Sequence, residues 1–300
     1  MVQERVVIAL GGNTLLRASR HFSVHQETEN VERACRQIAR IIKTGKRAVI
    51  THGNGPQVGD ILIQQHFSKH IVPAMPLDVC GAQTQGEIGY LLQRSLRRYL
   101  PGRKIITVLT QVRVSDRDPA FKNPTKFIGP FFRHVFPGAR KDSSRGFRRV
   151  VPSPEPLEII ESVEIRSLLN SGFVVIALGG GGIPVVKKGG RLWGVEAVID
   201  KDLASEKLAS FLRADILLML TDVDCVFIDY MKKTQKKLSK AGLDDIREYC
   251  KQGQFPPGSM GPKILAAIRF LEKGGKKVVI TSPEKAVGAL KGKGGTIITR

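Results

Sequence analysis

Cysteine, aromatic residues and long apolar runs are all scarce in this chain of 300 residues. Its four cysteines form no CxxC pair and its six histidines form no HExxH, so we expect packed, reduced thiols and neither a zinc site nor a disulfide framework. No apolar run approaches the roughly 20 residues of a membrane-spanning helix. The first residues enter a predicted strand at once and leave no room for a signal peptide, so we expect a cytoplasmic protein without a membrane anchor.

Acidic residues are also few, with 27 Asp and Glu against 48 Lys and Arg, which gives a formal net charge of +21. A chain this basic could bind nucleic acid or an anionic surface. However, the excess is spread over several segments, among them Arg133–Arg149, Lys232–Lys240 and Lys273–Lys277. Aromatic residues make up 6% of the chain and follow no base-stacking pattern. We therefore interpret most of the charge as solvated surface with some attraction for anionic substrates, and we do not expect specific nucleic-acid binding.

The familiar nucleotide-binding motifs are missing as well. The chain has no GxxxxGK[ST], which excludes a P-loop enzyme. It lacks the glycine-rich loop, HRD and DFG set of protein kinases. No GxGxxG follows the first predicted strand, so a Rossmann dinucleotide site is not indicated.

Short β-branched runs alternate with amphipathic stretches, which is typical of parallel β-α-β units. The predicted strands are Arg5–Leu10, Arg47–Thr51, Lys104–Val114, Phe173–Leu178, Asp215–Thr221 and Lys277–Thr281. The predicted helices are Glu27–Lys43, Gly86–Tyr99, Leu157–Leu169, Asp202–Arg213 and Ser259–Lys273. The sequence thus predicts one large α/β domain or two lobes sharing a sheet. A lobe boundary is expected near Pro152–Pro156, because this proline run can continue neither a helix nor a central strand.

One segment of the chain occurs twice. Val6–Gly12 is repeated letter for letter as Val174–Gly180. We interpret both copies as a buried parallel strand that ends in a glycine turn. Because ligands of open parallel sheets bind at the carboxyl ends of the strands, both turns are expected to face the same cleft.

Three small-residue turns are candidate anion sites. Gly11–Asn13 and His52–Gln57 each follow a predicted strand, and glycine lets backbone N–H groups approach an anion closely. Both could instead be ordinary tight turns, and His52 is interpreted as a positioning residue rather than a general base. The four glycines Gly179–Gly182 exceed what packing ordinarily needs, so we expect this backbone to lie against a phosphate.

Lysines at the starts of predicted helices are a second indication of an anion-binding site. Lys201 opens a predicted helix between two aspartates, either as a plain ion pair or as a phosphoryl-binding lysine held by carboxylates. Asp202 suits the N-cap or the first turn, and Lys263 again places a cation at the positive end of a helix, which a phosphate would compensate. With Lys126 on a loop, three lysines could converge on a triphosphate, as phosphoryl transfer requires. Thr221–Asp224 either shapes a nucleotide pocket or is a simple turn.

Several segments of the sequence resemble those of a known enzyme family. The chain resembles the carbamate kinases of the amino-acid kinase family in an ordered set of segments that spans nearly its whole length. HGNGPQVG (His52–Gly59) and GVEAVIDKDLASEKLA (Gly194–Ala209) separate carbamate kinases from other members. The further segments are Ala9–Asn13, Pro73–Cys80, Thr84–Tyr90, Asn123–Lys126, Arg145–Pro156, Gly179–Val185 and Pro256–Lys263.

The resemblance implies an α/β fold, an open three-layer αβα sandwich around a mostly parallel sheet, in a homodimer. An N-terminal lobe, about residues 1–155, would hold the acceptor, and a C-terminal lobe, about 156–300, would hold ATP or ADP. It further implies Mg²⁺, held mainly by the nucleotide phosphates rather than by protein ligands. The implied reaction is ATP + carbamate ⇌ ADP + carbamoyl phosphate, with a place in arginine metabolism.

The resemblance also assigns roles to residues. Lys126 and Lys201 would stabilise the transferring phosphoryl group, and Asp202 would orient the lysines. Acceptor binding is assigned to Gly11, Gly12, Asn13, Gly53, Asn54, Gly180 and Gly181. Nucleotide binding is assigned to Lys263, Thr221, Asp222, Val223 and Met260.

Two departures from the family pattern bear on function. The protruding lid segment, about residues 118–150, is shorter than in the family. Because the resemblance places this segment over the active site, its length bears on lid closure and on acceptor selectivity. Thr221–Asp224 is closer to the pattern of other amino-acid kinases. Two alternatives follow: another small-molecule kinase of this family, or an inactive kinase scaffold that binds nucleic acid. The intact Lys126, Lys201 and Lys263 argue against the inactive scaffold.

Overall fold

Strand β1 (Arg5–Leu10) lies in the middle of the fold, and all its residues after Arg5 are buried. The computed structural model describes residues 3–12, 24–142, 146–256 and 258–300. Along β1, Val6 and Ile8 pack into one apolar cluster, whereas Val7 and Ala9 pack into another on the opposite face. This period of two is the side-chain alternation of a strand that is covered on both faces.

The helices of the described residues lie between the strands in chain order. They are α1 (Val24–Ile42), α2 (Gly55–Ser68), α3 (Leu77–Tyr99), α4 (Ser162–Asn170), α5 (Lys201–Phe211), α6 (Leu243–Lys251), α7 (Met260–Glu272) and α8 (Ala286–Leu290). Within the part of the chain that the structure describes, none of them combines the length and the apolar character needed to cross a bilayer.

The strands after β1 fall into a main sheet and smaller sheets. The main sheet contains β2 (Arg47–His52), β3 (Ile105–Thr107), β9 (Val174–Gly179), β12 (Ile216–Leu220), β15 (Lys240–Gly242), β16 (Lys277–Thr281) and β17 (Thr296–Thr299). The others are β4 (Gln111–Arg113), β5 (Lys126–Phe132), β6 (Ala139–Lys141), β7 (Phe147–Val151), β8 (Glu158–Ile159), β10 (Ile183–Lys188), β11 (Arg191–Gly194), β13 (Val226–Ile228) and β14 (Lys236–Leu238).

The main sheet has the order β15-β17-β16-β12-β1-β2-β9-β3. Its neighbouring strands run parallel except for the β16–β17 pair. One face is covered by α1, α3 and α8, and the other by α4, α5 and α7. The predicted fold class, a three-layer αβα sandwich around a mostly parallel sheet, is therefore confirmed.

Two smaller sheets flank the carboxyl ends of the main strands. One has the order β11-β10-β4-β8, and the other, which we call the lid sheet, has the order β5-β7-β6. The lid sheet is antiparallel and spans residues 126–151, which all but coincides with the C-terminal part of the segment that the resemblance assigned to a lid, about 118–150. Helix α2 packs against it through Gly59, where an added Cβ would lie 2.0 Å from the Cα of Gly129.

The predicted strand Lys104–Val114 is wrong, because the chain leaves the main sheet in its middle. β3 and β4 belong to different sheets, and the buried Thr110 lies between them. Its hydroxyl donates to the carbonyl of Val108 and accepts from the N–H of Leu178, at 2.8 and 3.1 Å. These bonds turn the chain, which no local pattern of β-branched residues can reveal.

Other boundaries also differ from the predictions. The predicted helix Leu157–Leu169 begins only at Ser162, because Glu158–Ile159 pairs with β4 as strand β8. Helix α2 was not predicted, since its sequence has a weak apolar period and begins in a glycine turn. The main sheet contains strands from both sides of the proposed lobe boundary at Pro152–Pro156. The division into an acceptor lobe and a nucleotide lobe stays a prediction.

The contact between Gly59 and Gly129 gives a test of lid packing. A Gly59→Ala substitution places a methyl group on backbone atoms that cannot move independently, so we expect a loss of about 1–3 kcal/mol in the free energy of unfolding. Gly86→Ala is the matched control, because Gly86 is an exposed position of α3 with open space around it. The control should gain up to about 1 kcal/mol from helix propensity. Urea unfolding measures both, and equal effects would contradict the packing argument.

Candidate active site

A cleft of about 580 Å³ opens at the carboxyl ends of β1, β2, β9 and β12. These ends are in register, since Leu10 pairs with His52 and with Leu220, and His52 pairs with Gly179. The turns that follow the four strands are therefore brought to one place. This is where open parallel sheets bind their ligands.

The two copies of the repeated segment meet in this cleft, as expected. Gly11 and Gly12 from the first copy and Gly180 from the second line it, together with Gly53. The backbones touch closely, because a Cβ on Gly53 would lie 2.9 Å from the N atom of Gly12. Asn13, which the resemblance placed at the acceptor, lies outside the described residues.

The expectation that the four-glycine backbone lies against a phosphate is wrong for three of its N–H groups. The N–H of Gly180 donates to the carbonyl of His52 at 2.8 Å, that of Gly181 to Leu178 at 3.0 Å, and that of Gly182 to Gly179 at 3.0 Å. Gly180, Gly181 and Gly182 have positive φ values of 66°, 90° and 102°, which favours glycine at each position.

Close packing is a second reason for glycine in this run. A Cβ on Gly180 would lie 2.3 Å from the side-chain nitrogen of Asn54, and a Cβ on Gly181 would lie 2.5 Å from the carbonyl oxygen of Ile199. Gly180 reaches the lining of the cleft, but Gly181, which was expected to bind substrate, is buried beneath it. The run therefore shapes the cleft through tight packing rather than by offering a row of N–H donors.

Helix α3 supports these turns with two buried polar residues. Thr84 accepts a hydrogen bond of 2.8 Å from the side-chain amide of Asn54, which lines the cleft. Gln85 donates to the carbonyls of Gly179 and Thr110, at 2.9 and 3.0 Å, and accepts from the N–H of Thr110 at 2.8 Å. Asn54 and the second glycine turn are thus fixed from below by α3.

His52 is held as a positioning residue, in line with the interpretation of the sequence. Its ring is buried, and its Nδ1 lies 3.1 Å from the carbonyl oxygen of Gly53. Burial lowers the pKa of His52 from 6.5 to about 4, and the hydrogen bond to Gly53 only partly opposes this shift. A ring that is so weakly basic, and that is buried below the cleft, fits a positioning role better than that of a general base.

The start of α5 is the electrostatic centre of the cleft. Asp200 is the N-cap, since its Oδ1 accepts from the N–H groups of Asp202 and Leu203 at 2.9 and 3.4 Å. The helix begins at Lys201, so Asp202 occupies the first turn. An acidic N-cap and an acidic first turn both interact favourably with the helix dipole.

Three lysines converge on these two aspartates. The Nζ of Lys126 lies 2.6 Å from Asp200 Oδ2. The Nζ of Lys201 lies 2.5 Å from Asp202 Oδ1, and the Nζ of Lys263 lies 3.1 Å from Asp202 Oδ2. Lys126 is the first residue of β5 rather than a loop residue. The predicted convergence of the three lysines is therefore present in the structure, and it is organised by α5.

The ionisation of this cluster follows from burial and pairing. Burial by itself would raise the pKa of both aspartates, but Lys126 beside Asp200, and Lys201 with Lys263 beside Asp202, hold both carboxyl pKa values below their usual range. Burial lowers the pKa of Lys201 despite the attraction of Asp202. The same aspartate overcomes the burial of Lys263 and raises its pKa. The cluster therefore consists of lysines paired with carboxylates, with three lysines for two aspartates.

Helix N-termini add to the positive potential. Gly55 begins α2, Lys201 begins α5 and Met260 begins α7, and all three residues line the cleft. The first N–H groups of a helix have no partner within the helix, and the helix dipole favours an anion there. Three helix starts at one cleft favour an anion there, although Asp200 already accepts from two of the N–H groups of α5.

The residues that the resemblance assigned to the nucleotide also line the cleft. Thr221, Asp222 and Val223 follow β12 and line it, as does Met260, so the predicted nucleotide residues lie together. Three aromatic side chains that belong to none of the sequence motifs also line the cleft: Phe227 on β13, and Tyr230 and Phe255 from loops. They are dispersed in the sequence, and only the folding of residues 225–256 beside the cleft gathers them.

Two charged residues of the cleft were missed. Asp200 was seen only as a neighbour of Lys201, although an aspartate before a predicted helix start is a recognisable N-cap signal. Arg148 lines the cleft from the lid sheet. It stands in a basic segment that was interpreted as solvated surface, and no local pattern separates it from the exposed arginines around it.

Comparison with known proteins agrees with this architecture. The model of the amino acid kinase family matches residues 4–282. A carbamate kinase of Pyrococcus horikoshii is 48% identical over 311 aligned residues, covering 99% of each chain, and one of Thermococcus kodakarensis is 48% identical over 315, also covering 99% of each. The solved structure of a Giardia lamblia carbamate kinase bound to AMP-PNP has a TM-score of 0.91 and 42% identity, covering 99% of this chain and 98% of that one.

A family model that covers this much of the chain, together with full-length relatives of this identity, settles the classification. The chain belongs to the amino acid kinase family. Within that family it belongs with the carbamate kinases, in agreement with the resemblance seen in its sequence segments.

The buried His52 predicts a pH dependence of stability. The unfolded chain binds a proton at this residue near pH 6.5, whereas the folded chain binds it only near pH 4. The unfolded state therefore holds more protons in this window, and stability should fall as the pH falls from 6.5 to 4, by up to about 3 kcal/mol. The free energy of unfolding, measured with urea at several pH values in this range, should change less steeply with pH for His52→Gln than for the wild type. His70→Gln, at an exposed position, is the control, and equal slopes in both variants would refute the assignment.

Proposed function

We propose that the chain transfers a phosphoryl group reversibly between ATP and carbamate. The observation that carries this proposal is the cluster at the start of α5, where Lys126, Lys201 and Lys263 meet Asp200 and Asp202 in the lining of the cleft. Phosphoryl transfer needs positioning and charge stabilisation more than covalent help from the protein. A triple-lysine cluster supplies that stabilisation.

The two substrates take opposite ends of the cleft in this proposal. The end formed by Gly11, Gly12, Gly53 and Asn54 is small and polar, and it suits carbamate or carbamoyl phosphate. The end formed by Thr221–Val223 and Met260 is taken to include the aromatic lining residues, and it suits the nucleoside of ATP or ADP. A related carbamate kinase of Giardia lamblia is bound to AMP-PNP, which supports an adenine nucleotide as one of the two substrates.

The chemical step needs no general base. In the ATP-forming direction, a β-phosphate oxygen of ADP bonds to the phosphorus of carbamoyl phosphate, while the bond from phosphorus to the carbamate oxygen breaks and carbamate leaves with the electron pair. Lys126 and Lys201 would neutralise the charge that spreads over the equatorial oxygens. Asp202 would hold Lys201 and Lys263 in place, and Lys263 would bind the nucleotide phosphates.

Magnesium fits the residues of the cleft when it is held mainly by the nucleotide. Within the described residues, no three His, Cys, Asp or Glu side chains form a metal-binding group. Asp200 and Asp202 are engaged by lysines, so the remaining carboxylate at the nucleotide end is Asp222. Mg²⁺ commonly binds substrate phosphates with few protein ligands. It would neutralise part of the phosphate charge, and Asp222 could contact its water shell.

The assembly and setting of the enzyme are also proposals. A homodimer, a cytoplasmic location and a place in arginine metabolism follow from the resemblance to carbamate kinases. Light scattering of the purified protein tests the dimer directly, since a monomer at micromolar concentration would contradict it.

The activity itself gives the first test. Purified protein with ADP, magnesium and carbamoyl phosphate should form ATP, and Lys201→Ala should lower kcat by at least about 100-fold, the scale of losing one charge-stabilising donor. Lys251→Ala removes an exposed lysine of α6 and should leave the rate unchanged. ATP is measured by a coupled luminescence assay.

Two outcomes would count against this assignment. No ATP formation by a folded wild-type protein that binds ADP would reject carbamate as the acceptor and favour another small carboxylate or phosphate. A Lys201→Ala variant that forms ATP at nearly the wild-type rate would remove Lys201 from the reaction.

The support of Asn54 by Thr84 gives a second test. Thr84→Val keeps the shape but removes the hydroxyl that accepts from Asn54. The KM for carbamoyl phosphate should rise about 10-fold, whereas the KM for ADP should stay within about twofold. Thr84→Ser keeps the hydroxyl and should retain most of the affinity. If both variants change the two KM values alike, Thr84 only stabilises the fold.

A further inference from the structure

Arg148 is a cation of the cleft to which none of the assigned roles applies. It lies on β7 of the lid sheet and lines the cleft. Its Nε donates to the carbonyl of Gly129 at 2.9 Å, and its Nη1 lies 3.1 Å from Asp142 Oδ2. The guanidinium lies 5.1 Å from the ring centre of Phe131 and 6.0 Å from that of Phe127. These contacts fix its position.

The elements around Arg148 place it at the acceptor end. Phe127, one of its ring contacts, lines the cleft beside Ile128, and its carbonyl oxygen lies 4.0 Å from where a Cβ of Gly55 would be. Gly55 is the first residue of α2. Gly129, the hydrogen-bond partner of Arg148, packs on Gly59 of the same helix. Arg148 is therefore tied to the helix whose N-terminus faces the acceptor rather than to the nucleotide end.

The cations of the cleft also fall into two groups, the lysines around α5 and Arg148 on the lid sheet. The three lysines are paired with the aspartates of α5, at the place proposed for the transferring phosphoryl group. Arg148 is paired with Asp142, which is also on the lid side. A separate cation at the acceptor end suits a second anionic group, distinct from the phosphoryl group.

We propose that Arg148 binds the carboxylate-like end of the acceptor and is a specificity-determining residue for it. The proposal rests on the function proposed above and names the residue that selects its acceptor. The planar guanidinium carries several N–H donors in a fixed geometry, and this suits a planar carboxylate better than the single ammonium of a lysine does. Carbamate has such a group, and in carbamoyl phosphate the carbonyl oxygen remains at the same end.

This contact has a role in the reaction. One oxygen of carbamate forms or breaks the bond to phosphorus, and the other stays with the carbamoyl carbon throughout. Holding the second oxygen orients the first toward the phosphorus. As carbamate leaves in the ATP-forming direction, negative charge spreads onto both oxygens, and a guanidinium beside them would stabilise that charge. Small acceptors without this group would be bound weakly.

The test uses the adjacent arginine as its control. Arg149 is next to Arg148 on the same strand, is exposed, and has its guanidinium 5.9 Å from the ring centre of Phe136. Arg148→Met should raise the KM for carbamoyl phosphate by about 10- to 100-fold, with the KM for ADP within about twofold. Arg148→Lys should recover only part of the loss, and Arg149→Met should match the wild type. Steady-state ATP formation measures all four proteins.

Equilibrium titration with carbamoyl phosphate, without ADP, separates this proposal from the reaction itself. Loss of binding in Arg148→Met but not in Arg149→Met supports the proposal even if no ATP is formed, a result that would reject only the reaction. Four results would each overturn it. The first two are an equal rise of both KM values in Arg148→Met and full recovery of the acceptor KM in Arg148→Lys. The other two are a lower kcat with unchanged carbamoyl phosphate binding, and a wild type that does not bind carbamoyl phosphate. Melting temperatures of the variants identify a purely structural role, which would lower stability without a selective change in the acceptor KM.

Discussion

The buried carboxylate of Asp202, shared by Lys201 and Lys263, is the interaction on which the cleft depends. It joins the first turn of α5 to the first turn of α7, and the side chain is 5% exposed. Removing one partner of a buried ion pair typically costs about 3–5 kcal/mol, because the remaining charge is left uncompensated. The same pairing keeps two ammonium groups together in the absence of substrate. A phosphoryl group that enters the cleft therefore meets cations already in place, which lowers the reorganisation needed for transfer.

The backbone around this cluster is arranged by packing rather than by direct contact with an anion. The N–H groups of the second glycine turn are used within the protein, and Gln85 holds that turn against Thr110. The turn is thereby fixed in a left-handed conformation that the three successive glycines Gly180, Gly181 and Gly182 permit. The anion site itself is left to side chains and helix N-termini. In the proposed reaction, the lysines and Arg148 are therefore the chemical determinants, and the glycines determine the shape of the cleft.

Much of the fold could be predicted from local patterns. The strands β1 and β16 were predicted with the observed bounds, and the repeated segment indicated correctly that two strands end at one cleft. Local patterns failed where a distant contact decides the structure. The break after β3 depends on Thr110 and its partners Gln85 and Leu178. The glycine run was misinterpreted because the sequence does not show that Asn54 and Ile199 press against it.

The sequence by itself determined the α/β class, the family and the presence of the three lysines, because these depend on periodicity and on segments contiguous in the chain. Only the tertiary structure decided which groups meet: Lys126 with Asp200 across 74 positions, and Lys263 with Asp202 across 61. It also separated Arg148 from its exposed neighbour Arg149, although the two are adjacent in a basic run. The physical reason is that neighbouring residues of a strand point to opposite faces, so only the packing of the lid sheet decides which one reaches the cleft.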